Sequence, residues 1–479
     1  MDRRNRADDA EQQARRPGSV DEQMALLEKP TCSSASKRHA ISVRVADVEV
    51  ADSSHGVDDQ ASRVADDTPL APGFRTMSRW DTIFVLLTNQ VGLGVLTLPS
   101  VLKTMGLVPG TIAIVGLGGL SWFTAFELKL LYDRYPHVLN IVDMARVVGG
   151  RGFAWVTAFG MMLLVVMTAA SASVTFSTAA TMLSDGALGS TASIGIGCIC
   201  CWVLCMPRTA RFVSRSGIPS CVSILAATVV VIAGLAAGKP ADAPAGWRRA
   251  PVWFASPSFR DGLNACLKVC YAFSGNVSFV SYMAEMNNPQ RDFHVALAWL
   301  ESSSISFYVF VAVSIYCLAG EYTTSPALGS AAGVLPLVAY GLVIPSVLSK
   351  GLAFGHTGIK FAYVEIMKHY RITDEMATNN ARSWSIWLGI GTGFWILSLV
   401  LSIAVPVFDS IVSMTSAITI AWFSFGISAI FSLYRNVEVC SWQKAHMTLF
   451  NSLLIIGALF LNGAGLWSST TELKDALAS

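Results

Sequence analysis

Apolar stretches of about twenty residues, the length that crosses a bilayer core, recur along this chain and are separated by short polar joints. Eleven spans follow from that rule: 80–101, 107–132, 153–183, 191–206, 217–237, 261–283, 294–319, 333–366, 384–405, 409–434 and 446–467. The fourth is the weakest, being short and rich in Gly and Cys. Pro406, Phe408 and Asp409 join the ninth and tenth tightly. The eighth is long, about 50 Å at 1.5 Å per residue, so its end from Lys360 to Tyr370 is expected to project from the bilayer as an amphipathic extension. The pattern predicts an all-α polytopic membrane protein.

Two of the spans are interrupted. In the first, Gly92 and Gly94 split an apolar run that Pro99 closes; in the sixth, Ser274-Gly275-Asn276 sit at the middle. An unpaired backbone amide in hydrocarbon costs several kcal/mol, so a break is tolerated where it lines a cavity and uses the freed groups. Paired breaks in corresponding positions of two halves point to the binding site of transporters with inverted repeats. First and sixth spans fit a five-plus-five arrangement: repeat one at 80–237, repeat two at 261–434, and an added helix at 446–467.

Composition agrees with the pattern. The 479 residues are 53% hydrophobic and 14% charged, with mean hydropathy +0.52, values of a polytopic membrane protein. Charge is concentrated at the front: 12 of the 34 Lys and Arg and 14 of the 32 Asp and Glu precede Trp80. Segment 1–79, polar and charge-balanced, is expected to be a disordered cytosolic tail, and it has no apolar signal-peptide core. Lys29, Lys37 and Ser33 to Ser36 offer it modification sites and contacts for trafficking or ubiquitylation machinery; a plain solvated tail is the alternative. Residues 468–479 form a short carboxyl-terminal tail.

Loops on the side of the amino terminus hold Lys and Arg such as Arg134, Arg146, Arg208, Arg291, Arg371 and Lys444, and these outnumber those on the opposite side. That bias places the amino terminus in the cytosol and the carboxyl terminus outside or in a lumen; the 238–260 loop with Trp247, Arg248 and Arg249 dissents. Most of the ten cysteines lie in apolar runs, as buried thiols do. No metal-ligand spacing is present, no cofactor is implied, and a net charge of +2 argues against a nucleic-acid partner. Without a nucleophile-base pair or a phosphate loop in the spans, an enzyme is not expected.

The first break reads Asn89-Gln90-Val91-Gly92-Leu93-Gly94-Val95-Leu96-Thr97-Leu98-Pro99. Glycine lets the chain leave helical geometry. Amides opening the second half-helix suit an anion such as an α-carboxylate, and carbonyls closing the first suit an ammonium or a cation. Close glycine packing is the alternative. The second break, Tyr271-Ala272-Phe273-Ser274-Gly275-Asn276, is followed by Glu285-Met286-Asn287-Asn288-Pro289-Gln290-Arg291-Asp292-Phe293.

Together these motifs resemble the amino acid/auxin permease family, and Leu98 to Phe126 is similar to its fungal neutral amino acid permease branch. The resemblance covers about residues 75–467. It implies an eleven-helix LeuT-type fold with helices one and six broken, and amino acid uptake, usually with protons. By position it implies that Asn89, Val91, Gly92, Leu93, Gly94 and Val95 hold the substrate's carboxylate or amine. Phe273, Ser274, Gly275 and Asn276 would then line the site from helix six, with Phe273 closing over the substrate. Many family members have histidine where this chain has Asn276, which cannot titrate. Glu285 and the Asn287-Asn288-Pro289 turn are expected to fix the end of helix six or to gate it.

Ionisable residues inside a span are functional candidates by default. Lys350, His356 and Thr357 on span eight are the coupling candidates, because an ammonium or a titrating imidazole beside the first break could replace sodium and favour protons. A snorkelling Lys350 and a core His356 are the alternatives. Lys268, Glu127, Lys129 and Glu301 are expected to reach the interface. Thr168 to Thr175 and the Gly389-Gly391-Gly393 run are expected to be packing seams. The reading is a proton-coupled importer of neutral amino acids in the plasma membrane, with sodium as the other cation. An amino acid sensor of the same fold and a vacuolar exporter remain open.

Overall fold

Ser78 starts the first helix. Its Oγ accepts from the amide of Asp81, and its own amide donates to Asp81 Oδ2 at 3.1 Å, the reciprocal pairing that satisfies two donors of a helix start. The computed structural model describes residues 75, 77–244, 246–370, 372, 380–437 and 445–478. The segment 1–74 with Lys29, Lys37 and Ser33 to Ser36, and the loop residues Arg371 and Lys444, lie outside the described residues, as do the side chains of Leu93 and Arg211.

Helices account for nearly all of the rest. After α1 (Arg79–Gln90) and a 3-10 turn (Leu93–Leu96) come α2 (Leu98–Met105), α3 (Leu107–Arg134), α4 (Ile141–Leu183), α5 (Ser190–Leu204) and α6 (Ala210–Ala237). The second set is α7 (Phe259–Ala272), α8 (Asn276–Glu285), α9 (Pro289–Ala319), α10 (Leu335–His369), α11 (Ala381–Ala404), α12 (Phe408–Thr415), α13 (Ile427–Val437) and α14 (Ala445–Ala478). Two π-helical turns, Ser416–Ile420 and Trp422–Gly426, carry α12 into α13. α4 bends at Gly149-Gly150, where Gly150 has φ +70°, a value that side chains disfavour; the expected span 153–183 begins beyond that bend.

Among the described residues, eight helical stretches are long and apolar enough to cross a membrane, and α1 with α2 as one bent pair makes nine. The remaining two expected spans differ from the rule for physical reasons. α5 has fifteen residues, about 22 Å at 1.5 Å per residue. α7 and α8 are separated by the second break. Outward faces are strongly apolar: Trp155, Val156 and Phe159 on α4, Val222 and Val229 on α6, and Leu449 and Ile456 on α14 are all exposed. Such a belt faces lipid rather than water, and the protein is an integral membrane protein.

Several intramembrane charges depart from expectation. Glu127 and Glu301 are buried, and Lys268 is largely so, although it lies in a cavity wall. Each has found a partner on a distant helix: Arg435 Nη2 donates to Glu127 Oε2 at 2.5 Å, Lys268 Nζ to Asp409 Oδ2 at 2.7 Å, and Gln90 Nε2 to Glu301 Oε2 at 2.9 Å. Lys129 pairs one turn along with Asp133. Nor does the end of α10 project freely. Tyr363 and Met367 are buried, Tyr363 Oη shares a 2.6 Å hydrogen bond with Ser383 Oγ, and the Arg208 guanidinium lies 4.2 Å from the Trp384 ring.

Of the Gly389-Gly391-Gly393 run, Gly391 packs against α10, with a Cβ there 3.5 Å from Ile359 Cδ1, but the tighter glycine seam sits elsewhere. A Cβ at Gly389 or Gly393 would meet nothing, whereas at Gly351, Gly355 and Gly358 of α10 it would come within 2.8 Å of Cys201, Trp395 or Phe394. Small residues on α10 thus let α5 and α11 approach, as membrane helices require. The Thr168–Thr175 stretch is fully buried, and Thr168, Ser171, Ser173 and Thr175 bond carbonyls of their own helix.

Removing Arg435 leaves the buried Glu127 carboxylate without its counter-charge. Arg435→Ala is expected to lower stability by about 3–5 kcal/mol, and Glu127→Ala with Arg435→Ala by less, as read from thermal unfolding in detergent. Equal losses would show that the pair itself, rather than the orphaned glutamate, carries the effect.

Candidate functional site

The two breaks touch. A Cβ built on Gly94 would lie 2.6 Å from Ala272 Cα, so only glycine allows the first break to approach the end of α7 this closely. α1 is capped by Val91, whose amide still bonds Leu87 O at 2.7 Å, and the chain resumes through the 3-10 turn with Val95 N on Gly92 O and Thr97 N on Gly94 O. Amides that open such a turn have no acceptor within it. Leu93 and Gly94 contribute them here.

Carbonyls ending the two half-helices are held from outside. Lys350 Nζ, from the middle of α10, donates to Asn89 O. Tyr308 Oη of α9 lies 2.7 Å from Gln90 O and 3.0 Å from Ala272 O, so one phenol serves both breaks. Lys350 is fully enclosed, with its ammonium 4.8 Å from the Phe354 ring centroid and 5.9 Å from that of Tyr271. Asn89 Nδ2 donates to Tyr282 Oη on α8 at 2.5 Å. Tyr271 in turn shares a hydrogen bond with Ser171 of α4.

The second break has two kinds of side chain. Asn276 is fully engaged: its Nδ2 donates to Thr124 Oγ1 at 3.0 Å and Ser424 O at 3.3 Å, and its Oδ1 accepts from Ser121 Oγ. Ser274 Oγ is buried without a protein partner. Phe273 packs edge-on against Tyr308 with centroids 5.2 Å apart and presses towards Gly118 of α3. Gly275 leaves room for the Gln90 amide oxygen, which a Cβ there would approach to 2.8 Å.

Val91, Gly92, Gly94, Val95, Phe273, Ser274, Gly275, Asn276 and Lys350 therefore meet in one buried region. His356, Thr357 and Glu285 do not join them. They line a neighbouring cavity of about 120 Å³ with Met77, Tyr282 and Lys360. His356 is buried, its Nε2 has no partner, and its ring lies 5.5 Å from that of Trp387. Glu285 Oε1 accepts from Lys360 Nζ at 2.6 Å, and Thr357 Oγ1 bonds Ala353 O. A second cavity, about 340 Å³, has Lys103, Asp261, Lys268 and Glu472 in its wall. From the broken helices it takes Ser100, Val101, Lys103 and Thr104 after the first break and Asp261 to Lys268 before the second. The smaller cavity takes Met77 and Val85 before the first break and Ser278, Tyr282 and Glu285 after the second, so the cavities flank the breaks from opposite sides.

Sequence reasoning missed Tyr271, Tyr282, Tyr308, Gln90 and Glu301. Only Glu301, an acid within a span, carried a signal that could have marked it. The tyrosines read as ordinary apolar positions.

Residues 75–470 match a family model described as transmembrane amino acid transporter protein. The N amino acid transport system protein of Neurospora crassa is 26% identical over 400 residues, which are 82% of this chain and 84% of that one. A transmembrane transporter of Fusarium pseudograminearum is 23% identical over 415 residues, 84% and 85% of the two chains. Among solved structures, a nucleobase-cation-symport-1 family transporter in a closed conformation superposes with TM-score 0.53 at 12% identity, covering 86% of this chain and 94% of its own. A sodium-coupled sialic acid symporter gives 0.51 at 11%, covering 83% and 88%. These two likenesses establish the LeuT-type fold. The family match spans most of the chain, and the protein belongs to the transmembrane amino acid transporter family; it is a transporter and not an enzyme.

Tyr308→Phe keeps the ring against Phe273 but strips the donor from two buried carbonyls. It is expected to cost about 1–3 kcal/mol, seen as a lower unfolding temperature in detergent; an unchanged temperature would mean that other donors serve Gln90 O and Ala272 O.

Proposed function

We propose that this member of the transmembrane amino acid transporter family imports neutral amino acids together with protons. The observation that carries the reading is the meeting of two helix breaks, Gly94 against Ala272, with the Lys350 ammonium on the carbonyl of Asn89. Substrate carboxylate would lie at the amides opening the 3-10 turn, aided by the half-helix dipole, and the unpartnered Ser274 hydroxyl would bond it. The substrate ammonium would take backbone carbonyls of the second break. An apolar side chain would fit among Val91, Val95 and Phe273, which are apolar and buried.

Lys350 Nζ occupies a carbonyl that would otherwise suit a monovalent cation. Sodium is then unnecessary at that place, which favours protons as the coupling ion. Glu285, through Lys360, would gate the side on which His356 and Thr357 line the smaller cavity. With the amino terminus in the cytosol of a plasma-membrane protein, that cavity faces inward and the larger one outward. Rocking one set of helices against the other would open the breaks to each cavity in turn.

Proteoliposomes loaded with the purified chain are expected to accumulate labelled neutral amino acids when an inward proton gradient is applied, and replacing sodium with choline should leave the rate unchanged. Sodium-dependent uptake would sink the role given to Lys350. Binding without accumulation would favour a sensor.

A methyl at Gly92 would lie 3.5 Å from Lys350 Cδ, an ordinary contact, while a longer side chain would press on the ammonium's stem. Gly92→Ala is therefore expected to retain uptake, and Gly92→Leu to lose it at least tenfold while still inserting and folding. Uptake by a correctly inserted Gly92→Leu chain at the normal rate would overturn the backbone site.

A further inference from the structure

Glu301 has no exposed surface, although it lies in the middle of a helix rather than at an end. Its Oε2 accepts from Gln90 Nε2 at 2.9 Å, and Ser121 of α3 is its other polar neighbour. Its Oε1 has no partner. Neither has Gln90 Oε1, nor Ser304 Oγ one turn further along α9. An ionised carboxylate brings only acceptors, so as an anion Glu301 adds acceptors to a neighbourhood where Gln90 Oε1 is already without a donor.

No cation offsets it among the described residues. Charged and titratable side chains on the helices packed against α9 are engaged elsewhere or exposed: Arg215 of α6 is exposed, Arg79 pairs with Asp292 at the start of the helix, Lys103 bonds Thr323 O beyond its end, Glu127 pairs with Arg435, Lys129 with Asp133, and Glu285 with Lys360. On α8 the Tyr282 phenol takes the Asn89 amide. Cys221 of α6 lies towards Tyr308, which shares a face of α9 with Glu301 two turns away. Lys350 is spent on Asn89 O. A buried carboxylate with no counter-charge is costly, and such a group takes up a proton instead.

We propose that Glu301 holds a proton in this conformation and is the site on which the coupled proton travels. The assignment rests on the proton-coupled reading and names its carrier. One proton from water converts the carboxylate to a neutral acid whose O–H can donate to a neighbouring acceptor; the reverse step returns that proton to water on the other side. Coupling follows from what Glu301 holds. Gln90 is the last residue of α1, tied to α9 through its amide at Glu301 and its carbonyl at Tyr308. Any movement of α1 that opens the breaks pulls the amide away and lets water reach the acid, which then ionises. A proton must rebind before α1 can pack back against α9.

Two measurements on the full-length chain test this. Infrared difference spectra of the purified wild type in lipid, taken across a pH titration, should contain a protonated-carboxyl band at neutral pH that fades as pH rises and is missing from Glu301→Gln. A wild type without that band, or a variant that keeps it, overturns the assignment. Should Glu301→Gln not fold, Glu301→Asp must shift the band; an unmoved band overturns the assignment too.

The second measurement uses proteoliposomes and a labelled mixture of neutral amino acids. Glu301→Gln should still exchange external for internal substrate, but its accumulation under an inward proton gradient should fall at least tenfold, and exchange should lose its dependence on pH. Accumulation equal to the wild type overturns Glu301 as carrier and leaves the proton-coupled reading intact. A wild type that exchanges substrate yet never accumulates it under the gradient overturns that reading, and the carrier role with it.

Discussion

A backbone carbonyl released from its helix inside a membrane must find a donor, because hydrocarbon supplies none. That requirement organises this protein's centre. Asn89, Gln90 and Ala272 end two half-helices, and their carbonyls are met by the Lys350 ammonium and the Tyr308 phenol. The donors come from α10 and α9, so the breaks are pinned by the helices around them and not by their own loops. The amides opening the next half-turn have no acceptor within that turn, which is what a binding site for a carboxylate needs.

Ends of the broken helices are closed by polar contacts of a different kind. On one side, Met77 donates to Glu285 O at 3.1 Å and accepts from Asn287 N, while Glu285 pairs with Lys360 and Arg79 with Asp292. On the other, Asp409 receives Lys268 and the hydroxyl of Ser325. These pairs are partly exposed, so water competes for them and each is worth less than a contact buried in the core. Contacts of modest strength at both ends, around a firmly held middle, suit a molecule that must exchange one closed end for the other.

Close packing makes the firm middle possible. α10 presents Gly351, Gly355 and Gly358 to the bulky side chains of α5 and α11, and the buried hydroxyls of α4 turn back onto their own helix. Backbones can then approach without leaving those α4 hydroxyls unpaired. Lys350 sits on the same helix, so the charge at the breaks is carried by an element anchored along its length.

The sequence by itself determined the membrane class, most of the span boundaries and the positions of both breaks, because each is written in local chemistry. Twenty apolar residues have one economical place, and a Gly-x-Gly or Ser-Gly-Asn run interrupts a helix wherever it occurs. It also marked Lys350, as a charge that hydrocarbon will not tolerate without purpose. Tertiary structure alone decided what the charges do. Glu127 meets Arg435, Lys268 meets Asp409, Gln90 meets Glu301 and Lys350 meets Asn89 across separations of 308, 141, 211 and 261 residues. Whether a buried acid is paired, solvated or protonated depends on which helix faces it, and no local pattern along one chain encodes that facing. The same reason hid Tyr308: in sequence it is one more aromatic in an apolar run, and only the packing of α9 against both breaks puts its hydroxyl where two carbonyls need it.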